Sequence, residues 1–170
     1  MKKIIFAILL TLVTALNAES ATQSHFTITD TQNNSIHISD LKQGLLFDEY
    51  KDKAILLIMF GHNCPPCREE MPELIQLFKN NKDRLAIIAI EVQGYKTAQL
   101  AQFKNSEGIN YTLISGEDNQ KFVQHIFRRA GWQGQIPFLI AIDRKGEVQD
   151  MKAGLLGKAM LKGFVDSLNR

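Results

Sequence analysis

Hydrophobic and polar positions alternate with a two-residue period in His25-Phe26-Thr27-Ile28-Thr29 and again in Ser35-Ile36-His37-Ile38. The polar run Asp30 to Asn34 separates them, which predicts a β-hairpin. Ser39 to Lys53 holds no sustained period and reads as an irregular stretch. The pattern then becomes continuous: Ala54-Ile55-Leu56-Leu57-Ile58-Met59-Phe60 contains no polar residue, as expected of a strand covered on both faces. Leu85 to Ile90 repeats that pattern. Between the two runs, Cys67, Met71, Leu74, Ile75 and Phe78 recur at three- and four-residue intervals and so share one face of a helix. Thr97 to Lys104 and Gln120 to Arg129 read as further helices, and Tyr111 to Ile114 as a short strand. Pro137 to Ile142 and Glu147 to Gln149 flank the turn Asp143-Arg144-Lys145-Gly146, and Leu155 to Leu168 forms an amphipathic closing helix. Strands alternating with helices predict an α/β fold: a central mixed sheet flanked by helices, with an added N-terminal β-hairpin.

The first residues follow a different rule. Lys2 and Lys3 precede an apolar run from Ile4 to Leu16, and Asn17-Ala18 leads into Glu19, the pattern of a secretory signal peptide over residues 1–18. An uncleaved membrane anchor is the alternative, although the run is short for a bilayer. This divides the chain into an exported domain at 19–170, with 19–52 as the hairpin extension and 53–170 as the core. Without Lys2 and Lys3 the formal charge falls from +2 to zero, so no basic surface for nucleic acid is indicated. About 150 residues remain, enough for one well-cored domain and too few for two.

The chain has two cysteines, and they stand at Cys64-Pro65-Pro66-Cys67, where the first apolar run gives way to the helix. Pro65 and Pro66 suit a first helical turn, so Cys64 sits at the helix mouth, where free N–H groups and the helix dipole favour a thiolate. Cys64 is therefore the attacking sulfur, and Cys67, one turn in, is the resolving sulfur that expels a bound partner. A structural zinc site needs about four ligands, and no second CxxC or HxxxH pair is present. A merely stabilising bridge across so short a loop removes little entropy from the unfolded chain. The redox group is the Cys64–Cys67 pair itself, with no metal and no other cofactor. In an oxidising compartment such a pair starts oxidised, so its activity needs a redox partner.

The residues around the sulfurs suggest a direction. Pro65 and Pro66 both lack an N–H, so the amides left to face Cys64 begin at Cys67 and Arg68, and the pair leans reducing. His62, two residues before Cys64, is a candidate for stabilising the thiolate when protonated and would push the other way, as would Arg68; the alternative for both is a solvated surface. Glu70 lies three residues after Cys67, on the same side of the helix, where a partly buried carboxyl has a raised pKa and can exchange a proton with the resolving thiol. Glu69 reads as a first-turn acid favoured by the helix dipole, and Glu73 as a solvent-facing residue. His25, His37, His125 and Trp132 have no ligand spacing and read as packing or surface residues.

The CxxC opening a helix after a buried strand, a second strand–helix unit, and Ile136-Pro137 entering a terminal hairpin and helix together resemble the thioredoxin fold. Phe26-Thr27-Ile28-Thr29-Asp30, Ser39-Asp40-Leu41, Cys67-Arg68-Glu69-Glu70-Met71-Pro72 and Phe138 to Gly146 are more narrowly similar to exported thioredoxin-like proteins, the group containing TlpA, ResA and the cytochrome c maturation reductases. That resemblance implies a cis-proline at Pro137 beside the CxxC, with the backbone of Ile136 pairing an extended substrate segment. It implies a glutamate at position 70 of the ResA kind. It also implies a periplasmic thiol-disulfide reductase acting on exported proteins such as apocytochrome c, fed by a membrane CcdA- or DsbD-like transporter. A disulfide oxidase or isomerase is the alternative in the same class, and a copper-binding chaperone the alternative outside it. Two positions depart from the thioredoxin pattern: Asn63 stands where a tryptophan usually precedes the first cysteine, and Ile58 where a buried aspartate is usual.

Overall fold

The computed structural model describes residues 24–169; the signal segment read at 1–18 lies outside them. Five strands form the main sheet: β4 (Ala54–Phe60), β5 (Leu85–Glu91), β6 (Thr112–Ser115), β7 (Phe138–Ile142) and β8 (Val148–Ala153), in the order β6-β5-β4-β7-β8. β4, β5 and β6 run parallel, and β7 and β8 complete the sheet antiparallel to their neighbours. The helices are α1 (Pro65–Asn81), α2 (Thr97–Ser106), α3 (Gln120–Arg129) and α4 (Lys158–Leu168).

The unbroken apolar character of β4 follows from its place at the sheet's centre. Leu56, Ile58 and Phe60 face Cys67, Met71 and Leu74 of α1 and the apolar stripe of α4, Leu161, Val165 and Leu168. Ile55, Leu57 and Met59 face the other way, onto Phe122 and Ile126 of α3 and onto a second, smaller sheet. Two cores therefore meet across one strand.

That smaller sheet corrects one sequence expectation. It has three antiparallel strands, β1 (His25–Thr29), β2 (Ser35–Leu41) and β3 (Gly44–Phe47), followed by a 3-10 turn at Asp48–Tyr50, where an irregular stretch from Ser39 to Lys53 was expected. The strand β3 is short and its burial comes from docking, not from its own pattern. Leu45 N–H donates to the Gly146 carbonyl at 2.8 Å and Val148 N–H to the Gln43 carbonyl at 2.9 Å, stitching the β2–β3 hairpin to the β7–β8 turn. A side chain at Gly44 would put its Cβ 2.0 Å from the Gly146 oxygen, so only glycine permits this approach.

The closing helix also starts later than its apolar pattern suggests, at Lys158 instead of Leu155. Gly157, extended at φ −71° and ψ 155°, is its N-cap, and the Leu156 N–H before it is bound to a side chain of α1, as described below.

Candidate active site

Cys64 is the N-cap of α1, with Pro65 and Pro66 in its first turn, as the sequence predicts. The two cysteines are joined as a disulfide, and both are nearly buried, 5% and 4% exposed. Exposure thus does not separate them; their neighbours do. Cys64 Sγ lies 4.0 Å from the Ile136 carbonyl oxygen, and the Ile136–Pro137 peptide bond is cis. Cys67 lies on the inner side, lining a cavity of about 10 Å³ with Glu70, Tyr111 and Pro137, room for about one water.

The backbone around Cys64 is sparing with donors. Cys67 N–H reaches Cys64 Sγ at 3.3 Å, but Arg68 N–H goes to the Cys64 carbonyl oxygen at 3.0 Å as an ordinary helical bond. Two amides were expected to face the sulfur, and one does.

Glu70 is 3% exposed, on the face of α1 that meets the core. Burial pushes its carboxyl above the usual range, and the Leu156 N–H, which donates to Oε1 at 2.7 Å, partly opposes that shift. Tyr111 shares the cavity; burial raises its phenol, and the negative charge of Glu70 adds to the rise. Glu70 thus shares a small cavity with Cys67, and its contact with Leu156 ties α1 to the β8–α4 loop.

His62 is turned away from the role the sequence suggests. Its Nδ1 is 2.9 Å from Glu91 Oε1, its ring is stacked on Tyr95 with centroids 3.6 Å apart and planes 5° apart, and no described hydrogen bond joins it to either sulfur. Asn63 N–H donates to Gln93 Oε1 at 2.9 Å, and the Gln93 side chain lies so close over Gly61 that a Cβ there would sit 2.3 Å from it. The 61–63 turn is therefore gripped by the loop after β5, in the place where a tryptophan is usual. Arg68 extends over the Phe103 ring, 5.6 Å from its centroid, and pairs with Glu107 at 2.8 Å. Trp132 is buried, and its Nε1–H donates to the Gln135 carbonyl at 2.6 Å, bracing the loop that carries Ile136. Among the described residues, no group of three or more His, Cys, Asp or Glu is arranged to hold a metal ion.

Reading residues alone missed Glu91, Gln93, Tyr95 and Tyr111. One signal was available: Glu91 ends an apolar run at the carboxyl end of a parallel strand, the edge where open α/β sheets build their sites.

Comparison with known proteins agrees with this geometry. The chain is 26% identical over 152 residues to the thiol-disulfide oxidoreductase ResA of Geobacillus kaustophilus, an alignment covering 89% of this chain and 78% of that protein. Its fold matches the crystal structure of StoA from Bacillus subtilis with a TM-score of 0.62 at 14% identity, over 83% of this chain and 96% of the other. It also matches a secreted Mycobacterium tuberculosis disulfide oxidoreductase homologous to E. coli DsbE, with a TM-score of 0.61 at 19% identity, over 84% and 96% of the two chains. The model of the AhpC/TSA family matches residues 20–151. With a CxxC disulfide at the mouth of α1, a thioredoxin-like sheet behind it and that family match over most of its length, the chain belongs to the AhpC/TSA family and is a thioredoxin-like thiol-disulfide oxidoreductase.

Proposed function

We propose that this enzyme works as a reductase of disulfides in exported proteins, apocytochrome c among them, in the periplasm, and is recharged by a membrane CcdA- or DsbD-like donor. The observation that carries the direction is the single backbone donor at Cys64 Sγ. A hydrogen bond to a charged acceptor contributes about 1.5–3 kcal/mol. For a two-electron couple about 1.4 kcal/mol corresponds to about 30 mV. A thiolate with one donor fewer is less stabilised, and a less stabilised reduced form gives up its electrons more readily. The location rests on the signal pattern at residues 1–18 and is supported by likeness to a protein described as secreted.

In this cycle the Cys64 thiolate attacks one sulfur of a substrate disulfide held along the Ile136 backbone beside Pro137, forming a mixed disulfide and releasing the first substrate thiol. Glu70 then takes the Cys67 proton within the shared cavity, and the Cys67 thiolate attacks Cys64 Sγ. The Cys64–Cys67 disulfide forms and the second substrate sulfur leaves and is protonated. Two electrons and two protons pass from the dithiol to the substrate, and the donor restores them.

The test is a trap. Cys67→Ala leaves Cys64 able to attack but removes the group that releases the partner, so mixed disulfides on Cys64 should accumulate in cells. Non-reducing gels and mass spectrometry should then identify exported cysteine proteins among the captured chains. Failure to capture any exported chain through a cysteine that normally sits in a disulfide would count against the reductase reading.

A further inference from the structure

Glu91 is a fully buried carboxylate that the exchange steps above leave unused. Its Oε1 accepts from Gln93 N–H at 2.9 Å and faces His62 Nδ1 at 2.9 Å, while Oε2 accepts from Tyr95 N–H at 2.8 Å. A carboxylate only accepts, so the histidine nitrogen facing it is the donor. The imidazole is held on its other side by the Tyr95 ring, and it cannot swing off the carboxylate without losing that stack. Arg68, the other basic side chain of this segment, is also matched, by Glu107. The Arg68–Glu107 pair is substantially exposed and therefore screened by solvent and salt, whereas Glu91 is 0% exposed and its field is screened least.

We infer that Glu91 is a positioning residue that acts through His62 to hold the Cys64–Cys67 pair reducing; this deepens, and rests on, the reductase reading. The charge logic has one sign. With a doubly protonated imidazole the Glu91–His62 pair is neutral, and with a singly protonated one it carries a net negative charge. In neither state does it offer net positive charge to a thiolate at Cys64. Stabilising that thiolate would make the protein a stronger oxidant, so cancelling the histidine keeps the dithiol an electron donor. The 91–95 loop is thus part of the redox machinery: it turns a histidine two residues from the attacking sulfur into half of an internal pair.

The experiment equilibrates the folded protein with glutathione, in which the dithiol and oxidised glutathione give the Cys64–Cys67 disulfide and two reduced glutathione molecules. Wild type, Glu91→Gln, His62→Gln and the double variant are compared at pH 7. Glu91→Gln frees an uncompensated histidine and should lower the equilibrium constant for oxidation about ten-fold, an upward shift of about 30 mV. His62→Gln removes whatever positive charge offsets the carboxylate, so it should move the constant in the opposite direction or leave it unchanged, never towards oxidant, with the double variant returning towards wild type. Shifts of the same sign, as loosened packing alone would produce, or no shift for Glu91→Gln overturn the inference. His62 is partly exposed, so its variant folds even if Glu91→Gln does not, and His62→Gln alone moving the pair towards oxidant overturns the inference too. A strongly oxidising wild type with opposite-sign shifts intact would instead defeat the reductase reading and leave the role of Glu91 standing.

Discussion

Cys64→Ser is expected to reduce disulfide-exchange turnover to the uncatalysed background while leaving the fold in place. The attacking group must be a thiolate, and a serine hydroxyl neither ionises near neutral pH nor forms a disulfide. Much of what Cys64 does structurally survives the change. Its sulfur caps α1 by accepting the Cys67 N–H, and serine is among the preferred N-cap residues for that bond. The lost disulfide closes so short a loop that the chain-entropy model assigns it only about 2 kcal/mol. Turnover with an insulin or peptide disulfide and a thermal melt should therefore part company: activity gone, cooperative unfolding retained. A Cys64→Ser protein that keeps measurable turnover would mean that Cys67 can attack substrate directly, which its place inside the cavity with Glu70 opposes.

Glu70→Gln should give the next largest effect, slowing resolution of the mixed disulfide about 10²-fold, the lower part of the range for a general acid–base group. The amide keeps an oxygen for the Leu156 N–H but cannot accept the Cys67 proton, so the loss should fall on resolution and spare the first attack. Single-turnover release of a fluorescent thiol from the mixed disulfide separates the two steps. The same variant carries a pH signature in stability. Burial raises the folded-state pKa of Glu70 above its ordinary value, so the folded state holds this proton more tightly than the unfolded chain. The resulting stabilisation is full at acid pH and is lost as pH rises through the unfolded value near 4.5 and on through the raised folded value. Glu70→Gln lacks that loss. Denaturant midpoints should show the variant gaining on wild type between pH 4 and pH 8, whereas a constant difference would mean that Glu70 ionises normally.

Most of the fold was legible because its strongest signals are local. The seven apolar residues of β4 announce a strand buried on both faces, and the spacing of Cys67, Met71 and Leu74 announces the face of α1 that packs on it. Gly44–Phe47 was not legible, since a four-residue strand carries little periodicity and this one is defined by its docking on the β7–β8 turn. The start of α4 was misread because the apolar pattern runs through Gly157, whose extended backbone makes it the N-cap of the helix. The site divides the same way. Cys64, Cys67 and Glu70 sit within one helical turn or two of each other, and their spacing alone brings them together. His62 was a sound candidate by distance along the chain, but the direction of its ring is set by Glu91 and Tyr95, contributed by the end of β5 and the loop after it about thirty residues on. The same long-range contact buries Glu91, which in sequence is merely the charged end of an apolar run.

The central claim is that a thioredoxin-like pair with one backbone donor at its attacking sulfur is poised to give electrons. Its most direct test is the reduction potential of the Cys64–Cys67 pair in the wild-type protein, measured against glutathione and dithiothreitol at pH 7. A value near or below about −270 mV, that of thioredoxin, is the predicted result. A value near about −120 mV, that of a strong oxidant, would contradict it and make disulfide donation to newly exported proteins the activity to pursue.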